Sequence, residues 1–298
     1  MSTDEIRRAR LYLSRAADPP APALCNYVAA HGPVSAADRV RAGTAPDSVL
    51  SEIHRPEATT TQDLWTITEG YARFVIPGDD DWPYDRVDTR GHSPVSAPLG
   101  LWIRGQAPLT DLVRTAVTIT GARAATNYGT AVAADFATGL AHDGVTTLSG
   151  GAFGVDSAAL DAAHRAGGPT VVVLAGGVDV PYPRAHTAFF DRVVADGGLL
   201  ISEYPISAQP RRSRFAARAH LLAALSAATV IVEAGPRSGT LAVARHAREL
   251  GRPVYGVPGP ITSPNSHGVH DLLRSGAATL ITAPDQIDYD PGASSDRE

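Results

Sequence analysis

Short apolar runs alternate with helical segments along the chain from residue 115 to about residue 283. The runs lack the strict polar–apolar alternation of a half-exposed strand, which indicates strands covered on both faces. Helical segments separate successive runs, as the crossover connections of parallel strands require. The pattern predicts an α/β fold with a parallel sheet. The predicted strands are 117–120, 146–149, 170–174, 199–202, 229–233 and 253–257, with 279–282 as a candidate edge strand.

The first 75 residues show a different pattern, in which turn residues separate short helical segments. The turns contain Gly32-Pro33, Gly43 and Arg55-Pro56, which interrupt helices. A segment rich in Asp, Pro and Gly follows, and it predicts an ordered linker that leads into a strand near residue 101. The predicted organisation is a helical domain over 1–75, a linker and leading strand over 76–114, a sheet domain over 115–285 and a disordered tail over 286–298.

Two of the predicted strands are followed by glycine-bearing turns and then by Ala-rich helical segments. The first turn begins with Gly121-Ala122-Arg123, and the second contains Ser149-Gly150-Gly151 and Gly154. A sharp bend before a helix leaves backbone N–H groups free, and such groups bind phosphate. Two such turns in succession predict a Rossmann-like sheet that holds an anionic ligand.

The residues that follow the predicted strands form the candidate binding site, because ligands of open α/β sheets bind beyond the carboxyl ends of the strands. They are Gly, Ser, Thr and Arg with few carboxylates and no His cluster, which favours phosphate binding over acid–base catalysis. Each has a structural alternative, since glycines also close tight turns and Asp156 and Ser238 are also suited to cap helices. The candidates are Gly121, Arg123, Thr126, Ser149, Gly150, Gly151, Gly154, Asp156, Ser238, Gly239 and Thr240.

A basic run between the fourth and fifth predicted strands adds a second candidate surface. Residues 211–218 read Arg-Arg-Ser-Arg-Phe-Ala-Ala-Arg, and a helix is predicted over 217–226. A solvated basic loop is one interpretation. The other is a phosphate-contacting surface beside the strand ends, in which Phe215 stacks on a nucleobase. The position of the run directly after a strand favours the second interpretation.

Composition limits the function further. All 26 basic residues are Arg, so any phosphate contact uses the planar guanidinium group. The net charge of −5 means that nucleic-acid binding requires a local basic patch. Cys25 is the only cysteine, which excludes an internal disulfide and a cysteine-rich zinc site. The sequence shows no membrane-length apolar run and no signal peptide, so we predict a cytoplasmic protein. We also predict that the protein uses no metal and no cofactor.

Taken together, these motifs resemble those of the DNA-processing protein A family (DprA, also called Smf) of bacteria. The resemblance covers residues 100–283 and depends on the order and spacing of short motifs. They are 121–129, 149–156, 177–179, Tyr182-Pro183, 202–205, Glu233, 237–240, 251–254 and 257–259. The resemblance implies a non-enzymatic protein that binds single-stranded DNA, forms a homodimer, and loads RecA onto the DNA in recombination and natural transformation. It also implies that the N-terminal helices form a sterile-alpha-motif-like (SAM-like) domain.

The resemblance assigns DNA-binding roles to individual residues by their position in the motifs. Arg123 would grip a phosphate at the mouth of the pocket. Arg212 would stand where many members carry a basic residue, and Phe215 would face a base. Arg218 would match the first residue of the family's Arg-Asn-Arg motif.

Ala219 and His220 depart from the family pattern, because they replace the Asn and the second Arg of that motif. The loss of an amide and a guanidinium predicts weaker DNA contact, unless a protonated His220 restores part of the charge. The departure keeps open a nucleotide-sensing protein in signalling or defence. A nucleotide phosphoribohydrolase is a further alternative, but Val243 stands where that family carries Glu. A nicotinamide dehydrogenase is disfavoured, because no Gly-x-Gly-x-x-Gly follows the first strand.

Overall fold

The computed structural model describes residues 2–87 and 97–289, so predictions for residues 88–96 of the linker and 290–298 of the tail lie outside it. The helices are α1 (Thr3–Ala16), α2 (Pro22–His31), α3 (Pro33–Arg41), α4 (Asp47–Leu50), α5 (Thr61–Thr68), α6 (Tyr84–Val87), α7 (Leu109–Val113), α8 (Asn127–His142), α9 (Val155–Arg165), α10 (Thr187–Ala195), α11 (Arg212–Ala217), α12 (Ala219–Leu225), α13 (Leu241–Glu249) and α14 (His267–Arg274). The strands are β1 (Arg73–Val75), β2 (Leu101–Arg104), β3 (Val117–Thr120), β4 (Thr147–Ser149), β5 (Thr170–Val173), β6 (Leu199–Ser202), β7 (Ala228–Ile231), β8 (Val254–Gly256) and β9 (Thr279–Leu280).

The described strands form one sheet in the order β1-β2-β6-β5-β4-β3-β7-β8-β9. Strands β3 to β9 pair in parallel, whereas β2 pairs antiparallel with both β1 and β6. This confirms the predicted α/β, Rossmann-like and mostly parallel sheet. The strand order reverses at β3, because β4 lies on one side of it and β7 on the other. Ligands of such sheets bind at this switch point.

Two short strands extend the sheet beyond the range 115–285. β2 is the predicted leading strand, whereas β1 lies at the end of the region predicted to be helical. Phe74 in β1 packs on Trp102 in β2, with ring centroids 5.0 Å apart, and both side chains are buried. A strand as short as β1 carries too few residues for its periodicity to show in the sequence. The domain boundary at residue 75 stays a prediction.

Helices cover both faces of the sheet. On one face α8 and α9 pack through apolar residues that include Phe136 and Val155, and on the other α12 and α13 pack through Leu222 and Val243. The N-terminal helices enclose an apolar cluster of their own, which Leu99 joins. Of the helices in the described ranges, none has the length and apolar composition needed to cross a membrane.

The chain stays packed for several residues beyond 285. Ile287 is 5% exposed and belongs to the apolar cluster beneath α8. The N–H of Asp288 donates to the hydroxyl of Tyr255 at 3.0 Å. Residues 286–289 therefore differ from the predicted disordered tail, because an apolar side chain and a backbone hydrogen bond hold them on the sheet domain.

Candidate nucleic-acid interface

A carboxylate of the chain itself occupies the turn between β3 and α8. Thr126 caps α8, since its hydroxyl oxygen accepts from the N–H of Gly129 at 3.1 Å. The buried Glu233, just after β7, accepts from the Thr126 N–H at 2.9 Å and from its hydroxyl at 2.6 Å. A Cβ on Gly129 would lie 2.4 Å from the Glu233 carboxylate, so only glycine allows this close approach. The negative charge favoured at a helix N-terminus is thus already present.

The turn between β4 and α9 has the same arrangement. Asp156, in the first turn of α9, is 4% exposed. Its carboxylate accepts from the Thr120 hydroxyl at 2.8 Å and from the Ala152 N–H at 3.3 Å. Burial raises the pKa of Asp156, against the opposing effects of the Arg218 charge and the Thr120 hydrogen bond. Both donors lie before α9, and no side chain of the described residues caps that helix, so the contacts of Asp156 are not those of the helix cap that the sequence suggested.

Arg218 supports this second turn from inside the protein. Its side chain is buried, and its guanidinium donates to the carbonyls of Gly150 and Val173, the latter at 2.9 Å. A Cβ on Gly150 would lie 2.3 Å from the guanidinium, so the glycine makes room for it. In this arrangement Arg218 does not present the phosphate-contacting group that the resemblance implies. It faces the buried Asp156 instead.

One backbone N–H of each turn, that of Thr126 and that of Ala152, is therefore bonded to a carboxylate of the chain, and phosphate binding at the turns stays a prediction. A phosphate at the start of α8 would meet Glu233, and one at the start of α9 would meet Asp156. The physical reason is that a helix N-terminus favours negative charge in the unliganded protein as well, and a carboxylate from the same chain supplies it. A phosphate bound near these turns depends on side-chain cations.

Other predicted candidates join the backbone segments around the turns. The Ser149 hydroxyl donates to the Ile119 carbonyl at 2.6 Å and is fully buried. Gly121 and Gly151 are buried, and Gly154 has a φ of 82°. A Cβ on Gly154 would lie 2.3 Å from the carbonyl oxygen of the facing turn. These residues shape the turns rather than offer side chains to a ligand.

The loop after β7 is tied to the first turn. The Thr240 hydroxyl donates to the Gly121 carbonyl at 3.0 Å, and the Thr240 N–H donates to the Ser238 hydroxyl at 3.3 Å. Gly239 is exposed, and a Cβ added to it meets no atom within 4 Å. The loop is therefore in place beside the switch point, and Gly239 leaves it open to solvent.

Exposed cationic and aromatic side chains lie beside these turns. We name Arg123, Phe215 and Tyr182 the Arg123 cluster. Arg123 is exposed, and its guanidinium carbon lies 4.6 Å from the centroid of the Phe215 ring. Tyr182 is 43% exposed and meets Phe215 edge-on, with ring centroids 5.2 Å apart. The buried guanidinium of Arg218 lies 5.5 Å from the Phe215 centroid, so this half-buried ring also contacts the interior.

A second aromatic pair lies at the turn after β4. Phe153 is 51% exposed and packs against His186, with ring centroids 4.8 Å apart. Nδ1 of His186 lies 3.0 Å from the Gly151 carbonyl, which can only accept, so Nδ1 carries a hydrogen. Tyr182 and Phe153 were not among the predicted site residues. Both residues follow a strand, Tyr182 after β5 and Phe153 after β4. Position after a strand was the criterion that selected the other candidates, so it could also have identified these two.

The basic run is divided between the surface and the interior. It forms α11 rather than a loop, and Arg211 and Arg212 at its start are exposed. Arg214 is 3% exposed and donates to the Asp18 carboxylate at 2.6 Å. Arg218, after the helix, is buried as described above. Two of the four guanidiniums thus hold the structure together, and two remain accessible to an anion.

Ala219 and His220 lie inside the protein, both less than 9% exposed. Nε2 of His220 lies 3.1 Å from the Glu203 carboxylate, and Nδ1 bonds to a backbone carbonyl. A carboxylate and a carbonyl both accept, so this pair of partners favours the ring that carries hydrogen on both nitrogens. Burial would lower the pKa of His220, but the Glu203 carboxylate and the carbonyl outweigh it and raise this pKa. Because the ring is buried, it does not present its charge to a DNA strand at the surface.

The sequence matches a known family over most of its length. The sequence model for DNA recombination-mediator protein A matches residues 73–290. A Mycobacterium tuberculosis protein named as a DNA processing protein DprA is 43% identical over 294 residues, which cover 96% of this chain and 75% of that protein. Protein Smf of Escherichia coli is 37% identical over 72% of this chain and 55% of its own length.

Solved structures agree with this assignment. The crystal structure of DNA processing protein A from Streptococcus pneumoniae has a TM-score of 0.75 and 28% identity, over 96% of this chain and 97% of that chain. A structure describing the single-stranded DNA binding mode of DNA processing protein A from Helicobacter pylori has a TM-score of 0.62 and 28% identity. That match covers 72% of this chain and 92% of the other.

Proposed function

The chain belongs to the DNA recombination-mediator protein A family, and we propose that it binds single-stranded DNA through the Arg123 cluster. The observation that carries the proposal is the exposed guanidinium of Arg123, 4.6 Å from the ring of Phe215. A guanidinium forks onto a phosphate, and an aromatic ring stacks on any unpaired base. The cluster therefore offers both kinds of contact that a single strand requires.

In the proposed complex the Arg123 guanidinium moves from the Phe215 ring to a phosphate of the DNA backbone. A base of the strand then stacks on the ring face that Arg123 has left. Tyr182 steadies Phe215 edge-on and keeps an exposed surface for a neighbouring base. The exposed Arg211 and Arg212 supply further phosphate contacts. These groups contact phosphates and base faces rather than base edges. Binding is therefore tolerant of sequence, weaker at high salt and stronger for single strands than for duplex.

Fluorescence anisotropy of a labelled oligo-dT tests this proposal. The labelled strand is titrated with the full chain at several salt concentrations, and unlabelled single strand or duplex of equal length is added as competitor. We expect the single strand to compete better and the affinity to fall steadily with salt. A preference for the duplex would place binding on another surface, and an affinity that salt does not change would exclude phosphate contacts.

We propose a binding role without catalytic turnover. Glu233 and Asp156, the carboxylates of the two turns, are bonded to N–H and hydroxyl groups of the chain. Val243 is 3% exposed at the position where a phosphoribohydrolase would carry Glu. The nucleotide-sensing alternative depended on a weakened DNA surface at Ala219 and His220, and their burial removes that motivation. Release of ribose 5-phosphate from nucleoside monophosphates would contradict this part of the proposal.

We further propose that the protein, acting as a cytoplasmic homodimer, delivers the bound strand to RecA in recombination and natural transformation. The family description as a recombination mediator supports this step. RecA filament assembly on strands covered by single-strand-binding protein is the test, and we expect this chain to accelerate it. Sedimentation equilibrium tests the homodimer separately. An unchanged assembly rate despite tight DNA binding would remove RecA from the proposal and leave the DNA-binding role.

A further inference from the structure

A cavity of about 160 Å³ lies between the N-terminal helices and the sheet, and it shares no lining residue with the Arg123 cluster. Most of its wall is apolar and formed by the rings of Pro19, Pro20, Pro22 and Pro98 together with Leu99. Pro20 and Pro22 are exposed, so the cavity reaches the surface at the connection between α1 and α2. An apolar cavity of about 150 Å³ accommodates benzene. This one therefore has room for a single ring.

Three polar groups line the same cavity. Glu203 and His220 form the buried pair described above, and both side chains are less than 10% exposed. A carboxylate has lone pairs for several donors, so Glu203 can accept from a ligand while it accepts from His220. The third group is Ser14, which is 2% exposed and whose hydroxyl has no hydrogen-bond partner among the described residues. A buried hydroxyl without a partner is costly, and a ligand that bonds to it removes that cost.

Cys25, the only cysteine in the chain, also lines the cavity. Burial, reinforced by the charge of Glu203, raises the pKa of its thiol to about 12. At neutral pH the sulfur is therefore a neutral, weakly polar wall atom and a poor nucleophile. The cavity is therefore suited to bind a small molecule rather than to react with it.

We infer that this cavity binds a single-ring nitrogen heterocycle that carries an amino or N–H donor next to a ring nitrogen. The apolar wall and the volume select one ring. The Glu203 carboxylate accepts only, so it requires a donor on the ligand, and the Ser14 hydroxyl can donate to the adjacent ring nitrogen. Aminopyrimidines and aminopyridines have this pattern. The inference is independent of the proposed DNA binding, because the two sites share no residue.

The test compares three probes of similar size on the full chain by saturation-transfer NMR and titration calorimetry. They are 2-aminopyrimidine, pyrimidine and benzene. We expect 2-aminopyrimidine to bind at least about tenfold more tightly than pyrimidine, because only it can donate to the Glu203 carboxylate. Benzene should bind most weakly, since it leaves Ser14 and Glu203 without a new partner.

Two variants connect the binding to the cavity. His220→Arg places a longer side chain beside Glu203, so we expect the probe to be excluded while oligo-dT affinity stays unchanged. Ser14→Ala removes only the hydroxyl, and we expect several-fold weaker binding of 2-aminopyrimidine and unchanged binding of benzene. If His220→Arg does not fold, Ser14→Ala alone still tests whether the probe binds in this cavity. Equal affinity of the three probes, absence of binding, or undiminished 2-aminopyrimidine binding in the folded variants would overturn the inference.

Discussion

The turns after β3 and β4 and the Arg123 cluster differ in the charged groups that they present and in the partners of those groups. In the turns, the carboxylates of Glu233 and Asp156 occupy the positions where a phosphate would bind. In the cluster, an exposed guanidinium lies against an aromatic ring and its polar edge remains in solvent. The two regions meet in the turn after β3, which itself carries Arg123. The turns are therefore the framework, and the cluster is the surface that an anionic polymer meets.

This difference shows how a glycine-rich turn can indicate a binding site without being one. Gly129 and Gly150 allow close approach, but the groups that approach are Glu233 and Arg218 of the same chain. A helix N-terminus attracts negative charge from any source. Where a buried carboxylate is already bonded there, the site for a ligand moves to neighbouring cationic side chains.

The largest effect is expected in the framework, on replacing Arg218 by Met. The substitution removes the hydrogen bonds to the carbonyls of Gly150 and Val173 and leaves the buried Asp156 without its opposing charge. Loss of one partner of a buried charge pair costs about 3–5 kcal/mol of unfolding free energy. Urea denaturation measures it, with the exposed Arg212→Met as the matched control. If both variants lose the same small amount, Arg218 is not part of the framework.

Replacing Phe215 by Ala tests the other half of the comparison, the contribution of the Arg123 cluster to DNA binding. Loss of a stacking ring weakens single-stranded DNA binding by about 1–3 kcal/mol, roughly 5- to 150-fold in affinity. Phe215→Tyr is the control, because it keeps the ring face. Anisotropy with oligo-dT measures both variants at one salt concentration. Equal affinity of Phe215→Ala and wild type would mean that the ring does not contact a base.

The smallest effect is expected from the buried pair of His220 and Glu203, and it concerns stability rather than DNA binding. The folded protein raises the pKa of His220, so the stabilisation from this pair is fully present below the unfolded value of about 6.5. It is lost as pH rises through the raised folded-state pKa. The difference in unfolding free energy between wild type and His220→Asn should therefore shrink from pH 6 to pH 9. A difference that grows over this range would contradict the charged pair.

Much of the fold could be predicted from the sequence, because buried parallel strands leave continuous apolar runs. Strands β3 to β8 were predicted on that signal and the exposed β9 as a candidate edge strand, whereas β1 was too short to produce a signal. The helix spacing of Arg214 and Arg218 was a further signal, since residues four apart share one helix face. That spacing groups the two buried arginines of the basic run and separates them from Arg212.

The site was harder to predict, because its contacts join residues far apart in the chain. Glu233 reaches Thr126 across the switch point, and Tyr182 in the segment after β5 meets Phe215 in α11. No spacing within one motif reveals such pairs. The chemistry of a guanidinium is also the same whether it is buried or exposed. The sequence therefore showed that Arg214 and Arg218 share a helix face, but not whether that face is buried or exposed.

The central claim is that the Arg123 cluster binds the single strand and the turns only support it. Oligo-dT affinity of Arg123→Ala and Thr126→Ala, measured by anisotropy under conditions where both variants are folded, tests this claim most directly. We expect Arg123→Ala to bind about tenfold or more weakly, since a hydrogen bond to a charged phosphate contributes about 1.5–3 kcal/mol. Thr126→Ala should lose stability with its helix cap and keep wild-type affinity. Unchanged binding by Arg123→Ala together with weakened binding by Thr126→Ala would show that the turns contact the DNA, and would contradict this account.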